Sequence, residues 1–152
     1  MPSNSNTPEI LQLIQQDHEE VQGLFEQFHK SVSAKDGEEK ADTISKQILD
    51  NLKLHTELEE KIVYPSLKDQ DPKIFYESRE EHHVVDLLIE ELQQLKVSDP
   101  AYAAKMAVME ESVKHHIQEE ESQMFKLISQ LPDDTLSEMA EAWKMQKQHA
   151  QK

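Results

Sequence analysis

Four stretches of this sequence each carry an apolar stripe at helical spacing, and a histidine interrupts each stripe at a matching level. The first stripe reads Ile10, Ile14, His18, Val21, Phe25, Phe28, Val32. The second reads Ile44, Ile48, Leu52, His55, Glu59, Val63. The third reads Phe75, Ser78, His82, Val85, Ile89, Leu92. The fourth reads Met109, Val113, His116, Glu120, Met124, Leu127. Steps of three and four mark one helix face, the inward seam of a bundle. Two seams add a glutamate one turn beyond the histidine. A fold that buries these stripes must therefore also bury a layer of four histidines and two carboxylates.

The chain also repeats itself. His18, Val21, Leu24 and Phe25 correspond to His82, Val85, Leu88 and Ile89 at an offset of 64. Ile48, Leu52, His55, Glu59, Glu60 and Tyr64 correspond to Met109, Val113, His116, Glu120, Glu121 and Phe125 at an offset of 61. Two helical hairpins of one design then face each other, as an all-α, up-down-up-down four-helix bundle with pseudo-twofold symmetry. Thr7-Pro8, Asp71-Pro72 and Asp99-Pro100 pair a capping residue with proline at a helix start. Asp36-Gly37 reads as a turn, and Pro65 should end or kink the second helix. The spacing predicts helices near 8–34, 38–65, 72–97, 100–130 and 133–149. Residues 1–7 are expected to be disordered, 8–130 to form the bundle, and 131–152 to form an accessory C-terminal helix and tail. That helix carries Leu136, Met139, Ala140 and Trp143 on one stripe. Its two candidate partners are the outside of the bundle and a second copy of the chain, in a homodimer.

The polar layer calls for a cation. A buried carboxylate without a partner costs several kcal/mol, and carboxylate oxygens and neutral imidazoles are natural metal ligands. His55 and Glu59, like His116 and Glu120, stand at i and i+4, about 6 Å apart along a helix and on one face. With His18 and His82 they make six ligands, too many for one tetrahedral zinc. Two bridging glutamates and two histidines per metal make a symmetric two-metal site, completed by an oxo or hydroxo bridge. The donor set suits two iron ions, with manganese next and zinc as an adventitious occupant. Register selects His82 over His83 and His116 over His115, whose own face is polar. Glu60 and Glu121 read as surface charges, with hydrogen bonding to the site as the alternative. Tyr64 and Phe125 read as packing residues, with proton or electron donation as the lesser reading for Tyr64. His29 and His149 read as surface residues, and Met109 and Met124 as core filler.

These residues resemble the hemerythrin-like (HHE cation-binding) family through DHEEVQGLFEQF, HTELEEKIVYP, EEHHVVDLLIEEL and HHIQEEESQMF. The resemblance implies a non-heme diiron centre with His18, His55, Glu59, His82, His116 and Glu120 as ligands, Glu59 and Glu120 bridging. Oxygen-carrying hemerythrins have a fifth histidine, four residues from another on the third helix; the positions flanking His82 at that spacing are Ser78 and Asp86. The pattern looks like the bacterial four-histidine branch. It implies binding of, or reaction with, dioxygen, peroxide or nitric oxide rather than oxygen transport. Reduction of peroxide or dioxygen by the centre, as an enzyme, is one reading. A non-catalytic sensor, carrier or iron reservoir is the other. A metal-free acidic interaction module is the third.

Charge and composition narrow the partners. The formal net charge is −15, which repels a phosphate backbone, so nucleic acid is not an expected partner. No apolar run approaches a membrane span. Cysteine is absent and MPSNSNTPEI does not resemble a signal peptide, so the expected compartment is the cytoplasm.

Overall fold

The computed structural model describes residues 7–150. The expectation for residues 1–7 falls outside the described residues except at Thr7. Among the described residues five helices run in order. Helix α1 is Glu9–Ser33. Helix α2 is Glu38–Leu58, continued by a π-helical turn Glu59–Val63 and an α segment Tyr64–Gln70. Helix α3 is Pro72–Gln93. Helix α4 is Pro100–Glu119, continued by a π turn Glu120–Met124 and an α segment Phe125–Ile128. Helix α5 is Asp133–Ala150. Among the described residues there is no strand, and no helix is long and apolar enough to cross a membrane.

Two of the three proline-marked starts use the expected cap. Asp71 accepts from the Ile74 N–H at 3.2 Å and Asp99 from the Ala101 N–H at 2.9 Å, each satisfying an end donor of its helix. At α1 no side chain caps; the Pro8 carbonyl receives the Leu11 and Gln12 N–H groups instead. The turn between α1 and α2 puts Asp36 at φ 62° and brings Gly37 hard against the Ser31 carbonyl. A Cβ at Gly37 would enter that backbone oxygen, which cannot swing aside as a side chain would. Gly37→Ala is expected to destabilise the fold by ~1–3 kcal/mol, the usual range for forced overpacking. Equilibrium urea unfolding of the variant checks this.

Pro65 does not end the second helix. The widened turn before it takes up the disruption, and the chain stays helical to Gln70. Proline alone does not explain that turn, because α4 makes the same turn at the matching place without one. In both, the N–H five residues on bonds back to the glutamate carbonyl: Tyr64 to Glu59, and Phe125 to Glu120. Each π turn adds a residue and rotates the helix beyond it, so the inward position after Met124 is Ile128 rather than Leu127. The end of α1 also departs from the stripe. Ser31 is buried there, and Val32 is exposed.

Two apolar cores lie on either side of the histidine level. One joins the C-terminal half of α1, the N-terminal half of α2, the C-terminal half of α3 and the N-terminal half of α4, through Phe25, Phe28, Ile48, Ile89 and Met109. The other joins the opposite halves through Ile10, Ile14, Leu67, Phe75 and Met124, and takes in Leu136, Met139, Ala140 and Trp143 of α5. This alternation is that of an up-down-up-down bundle. It also places α5 on the bundle of its own chain, packed mainly against α1. Trp143 is fully enclosed, so α5 belongs to the core of that end.

Candidate metal centre

All six predicted side chains meet between the two cores. His18, Glu59, His82, His116 and Glu120 are buried, and the His55 side chain is 11% exposed. The carboxylates divide their oxygens between two histidine pairs. Glu59 turns Oε2 toward His55 Nε2 at 3.3 Å and Oε1 toward His82 Nε2 at 3.2 Å. Glu120 turns Oε1 toward His18 Nε2 at 2.9 Å and Oε2 toward His116 Nε2 at 3.4 Å. The rings of His18 and His55 stand 5.2 Å apart and those of His82 and His116 4.9 Å apart. One group of possible ligand atoms therefore comprises His18, His55, Glu59 and Glu120, and a second comprises Glu59, His82 and His116, with Glu59 common to both.

The orphaned atoms are informative. His18 Nε2, His55 Nε2, Glu59 Oε2 and Glu120 Oε1 are all buried without a hydrogen-bond partner. These four belong to one group and lie close together, yet none is aligned to bond with another. Polar atoms shut away from water cost free energy unless something satisfies them. A cation among them would do so, and nitrogen and carboxylate oxygen are donors that iron accepts.

Behind each histidine stands a second carboxylate. Nδ1 of His18 bonds Glu121 at 2.7 Å, of His55 Asp17 at 2.9 Å, of His82 Glu60 at 2.8 Å, and of His116 Glu81 at 2.8 Å. Such a partner holds the proton on Nδ1 and leaves the Nε2 lone pair facing inward, the arrangement usual for a metal-bound histidine. The four partners obey the repeat: Glu60 and Glu121 at an offset of 61, Asp17 and Glu81 at 64. Glu60 and Glu121 are thus partners of the site rather than free surface charges. Asp17 and Glu81 escaped sequence reasoning, although each directly precedes a repeat-related histidine. His29, His83, His115 and His149 are exposed, off the seam as expected.

Tyr64 corrects another expectation. Its hydroxyl lies 2.9 Å from His116 Nε2 and from Glu120 Oε2, 3.2 Å from His82 Nε2 and 3.3 Å from Glu59 Oε1. The π turn beginning at Glu59 aims it inward. The matching position in the other half is Phe125, which has no hydroxyl, so the two halves differ here. Burial, then the charges of Glu120 and Glu59, push the Tyr64 phenol well above its ordinary range.

The same proximity sets the charge state of the metal-free site. Burial pulls His18, His55 and His116 down, but the carboxylates facing them outweigh it, and all three are raised from the ordinary 6.5. Burial pushes Glu59 up, but His55 and the other neighbours hold it well below 4.5. Protons thus perform for the metal-free layer the neutralisation that a cation would perform.

A profile of the hemerythrin HHE cation-binding domain matches residues 9–128. The chain belongs to that family. The HHE chain superposes on the crystal structure of a hemerythrin HHE cation-binding domain-containing protein from Mycobacterium kansasii with a TM-score of 0.72. That match covers 97% of this chain and 87% of the other at 22% identity, and establishes a shared fold. The HHE chain is also 26% identical over 145 residues to a protein named DNA nickase from Nostoc sp. (strain PCC 7120 / SAG 25.82 / UTEX 2576). The match takes in 93% of this chain but spans only 38% of that relative's length.

Proposed function

We propose that this protein is a non-heme diiron protein that binds or reacts with a small oxidant: dioxygen, peroxide or nitric oxide. The observation that carries the reading is the division of each buried carboxylate, one oxygen to each histidine pair. Bridging glutamates serve two ions, and a single ion would leave two histidines idle. His18 and His55 would hold one iron, His82 and His116 the other, and Glu59 and Glu120 both. Bound iron would supply one-electron redox chemistry and positions for a small ligand. The protein supplies orientation through Asp17, Glu60, Glu81 and Glu121, and a space of limited size. A cavity of about 50 Å³ adjoins the histidines, walled on its apolar side by Val21, Leu52, Val85, Val113 and Ile117. A water needs only ~10–15 Å³ on this measure, so molecules of a few atoms fit.

Among the described residues, Tyr64 is the one proton-bearing side chain beyond the predicted ligands that reaches their inner atoms. That sparse equipment also favours a second reading, in which the protein binds its oxidant as a sensor, carrier or reservoir. Turnover separates the two: an enzyme consumes peroxide or dioxygen repeatedly, and a sensor binds it stoichiometrically. The charge of −15 argues against nucleic acid as a partner despite the name of the Nostoc relative. Oxidative or nitrosative stress handling in the cytoplasm is the setting this reading implies. Metal analysis with optical spectroscopy tests it. Two irons per chain and a near-ultraviolet band in the ferric form are expected. A purified protein that binds fewer than two, or a ferrous form inert to peroxide, dioxygen and nitric oxide, would sink it.

A further inference from the structure

The polar layer obeys a pseudo-twofold, but the shell around it does not. Repeat-related Asp17 and Glu81 each bond the Nδ1 of a predicted ligand, His55 and His116 respectively. Their surroundings differ. Glu81 is 30% exposed and, among the described residues, pairs with no lysine or arginine; besides His116, the side chain it comes near is that of exposed His115, 4.0 Å away. Asp17 is only 9% exposed and is ion-paired with Lys147 of α5. One helix turn earlier on α5, Trp143 stands edge-on to the His55 ring at 5.4 Å and 76°. Lys147 is also the one residue of α5 that lines the cavity against the histidines. Among the described residues no segment repeats α5 on the other side, so Glu81 and His116 have no helix in the equivalent place.

We infer that α5 makes the two metal positions unequal: Lys147 and Trp143 clamp the Asp17–His55 pair and so hold the His18–His55 metal, while the His82–His116 metal stays more exchangeable. This rests on the two-metal reading above. The physical reason is restraint. A histidine holds a metal best when its other nitrogen is fixed by a partner that is itself fixed. Asp17 is held by a cation in a nearly dry position, where an ion pair is little screened. Glu81 is part-exposed and has water as a competitor. Lys147 is a positioning residue here, acting through Asp17 on His55.

Anaerobic iron release to excess ferrous chelator tests the inference on the whole chain. Metal analysis comes first, and a wild type with fewer than two irons overturns the two-metal reading itself. With two irons bound, release should occur in two phases of one iron each. Lys147→Gln should accelerate the slow phase about tenfold, the lower end of what losing an outer-shell partner costs, and leave the fast phase alone. Lys147→Arg should keep the wild-type slow phase, because it retains a cation for Asp17. Glu81→Gln should accelerate only the fast phase. Single-phase release in wild type would overturn the inference. So would a Lys147→Gln protein in which neither phase changes, or in which both accelerate equally, the mark of general loosening.

Discussion

Glu59→Ala is expected to leave the purified protein with less than one metal per chain. Glu59 has one oxygen near His55 and the other near His82, so a single truncation takes a ligand from both positions. It also takes a negative charge from a pocket that must hold several positive ones. Loss of an outer-shell partner alone typically costs about 10–100-fold in affinity. Loss of a shared inner ligand should cost more, and at both positions together. Glu60→Gln makes the contrast, because it touches only His82 and should weaken only that position. The fold should withstand the change better than the metal does. Removing Glu59 also removes the main influence that raises His55, so the truncation need not leave that imidazole charged without its partner. Metal content after gel filtration, beside a circular dichroism spectrum, reads both effects. A folded Glu59→Ala protein that still carries two metals would exclude Glu59 as a bridge.

Metal removal should lower the melting temperature, and more so as pH rises. The sign comes from the shifts in the metal-free site. His18, His55 and His116 are raised above 6.5, so the stability they contribute is fully present below that pH and is lost as pH rises through their folded values. Glu59 is held well below 4.5, so its contribution is present above 4.5 and lost only as pH falls through its own low value. The metal-free protein should therefore be most stable in mild acid and weaken toward alkaline pH. Metal binding runs the other way, because it requires neutral imidazole and displaces protons. At a free metal concentration of about 1,000 times the dissociation constant, the linkage is worth ~4 kcal/mol. For a domain of this size that corresponds to roughly 8–16 °C. Calorimetry with and without chelator, at about pH 6 and about pH 8, should show a gap that widens at the higher pH. Equal melting temperatures at both would mean that the layer is satisfied without metal.

The legible part of the fold was periodic. Steps of three and four identified the buried faces of α1 to α4 up to the π turns, except at Val32 in the last turn of α1, because a straight helix repeats its faces regularly. The repeat offsets then chose His82 over His83 and His116 over His115, and both chosen residues are buried. Periodic reasoning failed where the helix itself is irregular. A π turn inserts one residue, and a stripe read at constant pitch slips by one beyond it, as at Leu127 and Ile128. The aim of Tyr64 was missed for the same reason.

The sequence by itself determined the four seams, their shared polar level and the six side chains that meet there. Each of these is a local property, set by helical pitch and repeated in both halves. Only the tertiary structure decided what lies across a seam. It placed Asp17, Glu60, Glu81 and Glu121 behind the histidines, Tyr64 among the inner atoms, and Trp143 and Lys147 of α5 beside His55. Charged residues crowd every polar face of this acidic chain, and spacing within one helix does not reveal which of them a neighbouring helix will meet. That depends on how the helices cross and where α5 docks, which is settled by packing both cores at once.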